Sequence, residues 1–262
     1  MCVVLAGPMD ALSSAIVQRG ILAGYRFFVS RDAIEPLRQA FSTECTIYPE
    51  ALALHEDAPL DAVLLLQEGE SLEGIAHGIN QVMLHPSTGS IDSSFNGVNI
   101  VVHDLLPAER EKKTMHLFVN WLEAIEQGLR PSIDNTLHHW CSINDVASAL
   151  VRALPHLPST NTTFHLAGRR GWTLEETWAE FETLANRTLA GERGTFRASH
   201  LSTNSGLPVV ARPIQVVPNE HLRPDIGPFH RLLEETTGEG WRPTTTLRQS
   251  LMLVLASLRG VQ

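Results

Sequence analysis

The sequence predicts an α/β chain, with a mostly parallel sheet and a small C-terminal α/β lobe. Three observations lead there. Short apolar runs without polar alternation, at residues 2–6 and 61–66, read as strands buried on both faces. Stretches with helical spacing lie between such runs, the pattern of βαβ units. Two later segments open with capping boxes, so the second half carries helices with defined starts.

Each element has its own signal. Cys2-Val3-Val4-Leu5-Ala6 is a strand closed by Gly7-Pro8. Leu12, Ala15 and Ile16 place a helix over residues 11–19, with Gly20 as its stop. Arg26-Phe27-Phe28-Val29 is a second strand, and residues 61–66 are the most strand-like run of the first half. A helix is expected over 72–83 and a Ser-, Gly-, Asn- and Pro-rich loop over 85–97. A strand follows at 98–102. A long helix is expected over 109–129, with Met115, Phe118, Val119, Leu122, Ala124 and Ile125 on one stripe. Ser142 with Asp145, and Thr173 with Glu176, mark two helix starts, with a strand at 163–166 between them. Residues 191–219 read as irregular, with a strand candidate at 214–217. A helix over 246–258 closes the chain.

Composition narrows the function classes. With 262 residues, 43% of them hydrophobic, the chain can build one large core or a core with an appendage. The net charge is −9 and the basic residues are scattered, which argues against a nucleic-acid partner. No apolar run reaches the roughly 18 residues of a membrane span. Residues 1–6 are apolar but lack a charged start and run into Gly7-Pro8, so no signal peptide is expected. Cys2, Cys45 and Cys141 are odd in number and lack metal-type spacing. They read as free thiols of a cytoplasmic protein, and no metal site is expected.

Three blocks in order carry a resemblance. The first is Trp140-Cys141-Ser142-Ile143-Asn144-Asp145-Val146-Ala147. The second is Thr163-Phe164-His165-Leu166-Ala167-Gly168 with Trp172-Thr173-Leu174-Glu175-Glu176. The third is Arg223-Pro224-Asp225, then Leu232-Leu233-Glu234-Glu235 and Gly240-Trp241-Arg242-Pro243 leading to Leu247. Together they resemble the extended short-chain dehydrogenase/reductases, the NAD-dependent epimerase/dehydratase branch, over residues 98–258. The resemblance implies a reduced Rossmann-like core at 1–158, shortened by loss of the tyrosine-helix segment. Residues 159–262 then complete the sheet and form the small substrate-type lobe.

The departures from that family carry the functional expectation. Its G-x-x-G-x-x-G turn lets the backbone approach a pyrophosphate at a helix N-terminus. Here Gly7 holds the first position, while Asp10 and Ser13 occupy the other two. A carboxylate beside a pyrophosphate is repulsive. No cofactor is therefore expected, NAD or NADP being the minor alternative, with Gly7 and Arg31 the residues that would serve it. Arg31, after Ser30, suits a 2′-phosphate or is a solvated surface arginine. The family's Tyr-x-x-x-Lys pair supplies its acid/base and holds the nicotinamide ribose. The tyrosines here are Tyr25 and Tyr48 and the lysines Lys112 and Lys113, so no such pair exists. The interval between residues 67 and 98 implies a deletion of one strand and the tyrosine helix. In the family that helix often helps form the dimer, so a homo-oligomer here would need another surface, such as 109–129.

Arg223 resembles the family's contact to the diphosphate of a nucleotide-sugar, where a bidentate guanidinium suits phosphate. A structural pair with Asp225 is an equal alternative. His103, with Asp104 at the end of the 98–102 strand, lies where α/β folds place ligands, or is simply a structural histidine. These two are the candidate substrate-side residues, and no catalytic residue is expected. His138 and His139 are adjacent in a strand, so they point to opposite faces and cannot readily chelate one ion. No G-x-S-x-G elbow supports a hydrolase. Glu175, Glu176 and Glu180 read as a solvated helix face, and Trp140, Trp172, Trp178 and Trp241 as packing between sheet and lobe. The reading is a catalytically inactive homologue acting as a structural or regulatory binding protein, with a protein partner, a second copy or a nucleotide-sugar. The alternatives are an enzyme with non-standard residues and a nucleotide-sugar sensor.

Overall fold

In the computed structural model the described residues are 1–7, 9–67, 80–86, 95–107, 112–134, 136–159, 161–200 and 223–260. In chain order the elements begin β1 (Cys2–Ala6), α1 (Ala11–Leu22), β2 (Arg26–Val29), α2 (Arg31–Ala40), α3 (Ser42–Ile47) and β3 (Leu52–Leu54). Then come β4 (Val63–Gln67), β5 (Gln81–Pro86), β6 (Val98–Val102), β7 (Leu105–Leu106), α4 (Lys112–Glu126), β8 (Leu137–His138) and β9 (Cys141–Ser142). The rest are α5 (Ile143–Ala153), β10 (Thr162–Leu166), β11 (Trp172–Thr173), α6 (Leu174–Glu192), α7 (Gly227–Thr237) and α8 (Leu247–Leu258).

Seven strands form one sheet in the order β10-β6-β5-β4-β1-β2-β3. All its neighbours run parallel. The order reverses beside β1, the switch point where open α/β sheets bind ligands. Alternation sorts the side chains. Val3, Leu5, Val82, Leu84, Ile100, Val102, Phe164 and Leu166 join a core with α1, α5 and α7. Val4, Ala6, Phe28 and Leu64 form a smaller cluster with Phe95. The parallel α/β expectation holds.

One expectation is overturned. No strand has been lost between β4 and β6, because β5 pairs with both in register, Leu65↔Val82 and Val82↔Val98. Residues 81–83, expected at the end of a helix, are the start of β5. Gln81, His85 and Pro86 interrupt its apolar run and hide it in the sequence. Most of that expected helix (72–79), most of the Ser/Gly loop (87–94) and the strand at 214–217 fall outside the described residues.

Two local signals also act differently from their reading. Gly20 lies inside α1 rather than ending it. A Cβ there would sit 2.3 Å from Phe27 Cζ, so the glycine lets the helix pack close to β2. Ser142 caps α5, its hydroxyl accepting from Asn144 N at 3.2 Å. Asp145 does not complete a box. It accepts from Thr244 N and Oγ1 and from Thr245 N, at 2.9–3.2 Å, and ties the C-terminal segment to α5. Thr173 and Glu176 do form the expected box, and Thr246 with Gln249 forms another on α8.

A second core joins α4, α6 and α8 through Phe118, Trp121, Trp178, Phe181, Leu251 and Val254. Its rings meet edge to face, Phe118 with Trp121 at 5.4 Å and Trp121 with Trp178 at 5.3 Å, the arrangement that suits ring quadrupoles. Trp140 belongs to it and donates Nε1–H to Thr177 Oγ1 at 3.0 Å. Trp241 instead joins the sheet core, donating to Ala167 O at 2.8 Å beyond β10. Among the described residues no helix is long and apolar enough to cross a membrane.

Candidate functional site

At the carboxyl end of β1, Gly7 has φ 123°, a backbone region that glycine alone adopts readily. The first N–H groups of a helix such as α1 carry partial positive charge that favours an anion. Asp10 is the N-cap, and its Oδ1 accepts from Ser13 N at 2.8 Å. The positive end of α1 thus already meets a carboxylate of its own chain. Arg31 starts α2 and faces Glu56 at 3.3 Å, both side chains largely exposed. Gly7 and Arg31 therefore lie on the half of the sheet where the sequence placed them, and the neighbouring carboxylates answer the positive charge there.

The other half differs. His85 on β5 and His165 on β10 flank Val101 of β6 in register. Because parallel partners in register share a face, both turn away from the α1–α5 core. His85 Nε2 donates to Asn99 Oδ1 at 2.8 Å, and both residues are buried. His103, one residue past β6, shares a hydrogen bond between its Nε2 and His165 Nδ1 at 2.9 Å. His103 N donates to Leu166 O, which keeps the loop against β10.

Asp104 follows with φ 46°, uncommon for a residue with a side chain. That conformation accompanies a carboxylate fully engaged by the next strand pair. Oδ1 lies 2.8 Å from His138 Nδ1 and Oδ2 accepts from His139 N at 2.6 Å. Asp104 O accepts from Cys141 N, and Cys141 Sγ donates to His103 O at 3.1 Å. An ionised carboxylate only accepts, so His138 Nδ1 carries the hydrogen. The His138 ring stacks on Trp140 at 4.4 Å, the two planes nearly parallel. The expected partnership of His103 with Asp104 is thus corrected. Asp104 bonds His138 and His139, while His103 bonds His165.

Burial favours the neutral form of three of these imidazoles, His103, His139 and His165. Burial, then the neighbouring His165, pushes the His103 pKa down to about 4. Burial also lowers His139 and His165. Burial opposes ionisation of Asp104, but the bonds from His138 and His139 N outweigh it and hold its carboxyl below the usual range. The Arg223 charge acts on His139 and the Asp225 charge on His165, so residues 223–225 come close to the cluster. Arg223 itself is exposed and forms no ion pair with Asp225 among the described residues. Asp225 Oδ1 accepts from Gly227 N at the start of α7.

Among the described residues three buried ring nitrogens make no hydrogen bond of good geometry, His85 Nδ1 and both nitrogens of His139, although the Gly168 backbone acts on the His139 ring. Buried polar atoms are normally paired, so these three call for a physical reason. No group of three or more metal-ligating side chains gathers among the described residues. What the cluster offers is ring and amide donors and acceptors around one fully engaged carboxylate, with an arginine nearby, suited to a polar organic ligand. His103 and Arg223, singled out in the sequence, lie in or near this cluster, while His85, Asn99 and His165 were not singled out there. Their signal was a polar residue at an inward strand position among apolar neighbours.

No family model and no curated protein matches the sequence. Solved structures do resemble the fold. The enzyme WbmF of Bordetella bronchiseptica, in complex with NAD+ and UDP, superimposes with a TM-score of 0.52 at 10% identity, over 99% of this chain and 95% of that one. A UDP-glucose 4-epimerase of Stenotrophomonas maltophila, with NAD and a formylated UDP-arabinopyranose, gives 0.55 at 12% identity, over 99% and 98%. A reductase domain of the aureusimine biosynthetic cluster gives 0.57 at 9% identity, over 99% and 90%. The fold is shared. At these identities the likeness is one of architecture, and the Rossmann-like sheet implied by the resemblance is the sheet observed.

Proposed function

We propose that this chain is a catalytically inactive relative of the epimerase/dehydratase enzymes, a binding protein with a regulatory or structural role. The observation that carries the reading is the Asp10 carboxylate on the N-terminus of α1. A dinucleotide pyrophosphate at that position would meet like charge and lose the Ser13 N–H as a donor. Absence of a Tyr-x-x-x-Lys pair removes the acid/base that such enzymes use. The ligand we assign is a nucleotide-sugar, held at the β5–β6–β10 end with Arg223 toward its diphosphate. Support comes from the neutral imidazoles beside Arg223 and from structural neighbours solved with UDP or a UDP-sugar. The partner of the complex is another protein or a second copy.

Thermal shift of the purified chain tests this. The panel is NAD+, NADH, NADP+, NADPH and UDP-, GDP- and dTDP-sugars. A nucleotide-sugar should raise Tm and the dinucleotides should not. A dinucleotide shift would overturn the reading of Asp10 and restore an oxidoreductase.

One observation favours a second reading. A neutral His103 bonded to His165 at a strand end is also a proton-transfer arrangement, which an enzyme with non-standard residues could use. Turnover of a ligand found in the screen, lost on His103→Ala, would decide for it.

A further inference from the structure

A separate groove lies beside the N-terminus of α8, with a volume of about 520 Å³. That is within the range of small-molecule sites, roughly 300–1,000 Å³. Arg169, Arg170 and Arg248 line it, against the single carboxylate of Glu180. In a chain of net charge −9, such a local excess of cations is not the background.

The local structure holds these charges in place. Gly168 packs so tightly that a Cβ would fall 2.2 Å from Trp140 O, which fixes where Arg169 and Arg170 emerge. Arg170 lies over the Trp172 ring at 3.7 Å, so its fork is oriented rather than swinging in solvent. Its carboxylate contact, Glu176 at 3.5 Å, is long, because Glu176 also serves the α6 capping box. Arg248 touches Glu180 only at 3.6 Å. Arg169 has no ion pair among the described residues. Arg248 stands in the first turn of α8, which holds no acidic residue. A cation there opposes the helix dipole, and a bound anion would relieve that.

We infer that this groove is a second ligand site, for a small dianion such as a phosphomonoester or a dicarboxylate. Arg169 and Arg248 grip the oxyanion and the Trp172-stacked Arg170 directs it. The half-exposed pairs to Glu180 and Glu176 are weak enough to exchange for it. The site is distinct from the histidine cluster and does not depend on the nucleotide-sugar reading.

Calorimetric titration of the full chain with phenyl phosphate, inorganic phosphate and succinate tests it. At least one probe should bind saturably and lose affinity as salt rises. Arg169→Gln and Arg248→Gln should each weaken it about ten-fold, and Glu180→Gln should tighten it by removing the competitor. Preference for the phosphates assigns a phosphomonoester, and preference for succinate assigns a dicarboxylate. Arg169 is exposed and circular dichroism checks the fold, so loss of binding is separable from unfolding; Arg38→Gln serves as the control for non-specific charge. The site is refuted if no probe saturates, or if affinity is unchanged in both arginine variants.

Discussion

The two ends of the sheet's carboxyl edge treat their polar groups in opposite ways. At β1 and β2, Asp10 caps α1 and Arg31 meets Glu56, so the charged groups answer one another within the chain. At the other end His85 of β5 and His139, between β8 and β9, are buried, and among the described residues three of their ring nitrogens go without a partner. Both ends occupy positions where this architecture binds ligands. The first is complete without one. The second carries an energetic cost that a ligand could offset, and such sites are where function is sought.

The largest effect should come where backbone meets backbone. Gly168→Ala places a methyl against Trp140 O and His139 O beside the histidine end, and should cost about 3 kcal/mol in denaturant unfolding. Gly20→Ala, which meets only the Phe27 ring, should cost less. A smaller change of opposite sign is expected from His139→Leu. Removing two buried, unpaired nitrogens should stabilise the chain by about 1 kcal/mol, while a loss of stability would mean those nitrogens are satisfied in solution.

Asp10→Ala removes the cap of α1 and should cost about 1 kcal/mol, so the satisfied end responds with the sign opposite to His139. Acid should separate the ends too. The folded pKa of His103 is depressed, so its native form binds fewer protons than the unfolded chain. Stability is then full above about pH 6.5 and falls as pH drops toward 4. His103→Gln should flatten that part of the curve, and an unchanged slope would remove His103 as its source. Smallest of all, Arg31→Ala breaks an exposed pair and should change stability by less than about 1 kcal/mol.

Legibility followed the same division. β1, β2 and β4 were readable because a strand buried on both faces is a nearly unbroken apolar run, and β6 and β10 because enough apolar residues remain around Asn99 and His165. β5 was not, because Gln81, His85 and Pro86 break its apolar run, and His85 faces away from the α1–α5 core. β3 has three residues, too few for periodicity to register. Asp10 and Ser13 were legible as local facts, and the structure shows the Asp10 carboxylate capping α1. The histidine end was half legible. His103 and Arg223 stood out by position, but not the partners that give them meaning.

What could be read directly from the residues was local: apolar runs, helix caps, the absence of any Tyr-x-x-x-Lys spacing and an aspartate just ahead of the first helix. Pairings over distance came from the folded sheet alone. His103 meets His165 across 62 residues and Asp104 meets His138 across 34. Strand register and loop path set those contacts, and both depend on how the whole core packs. No short-range spacing rule encodes them.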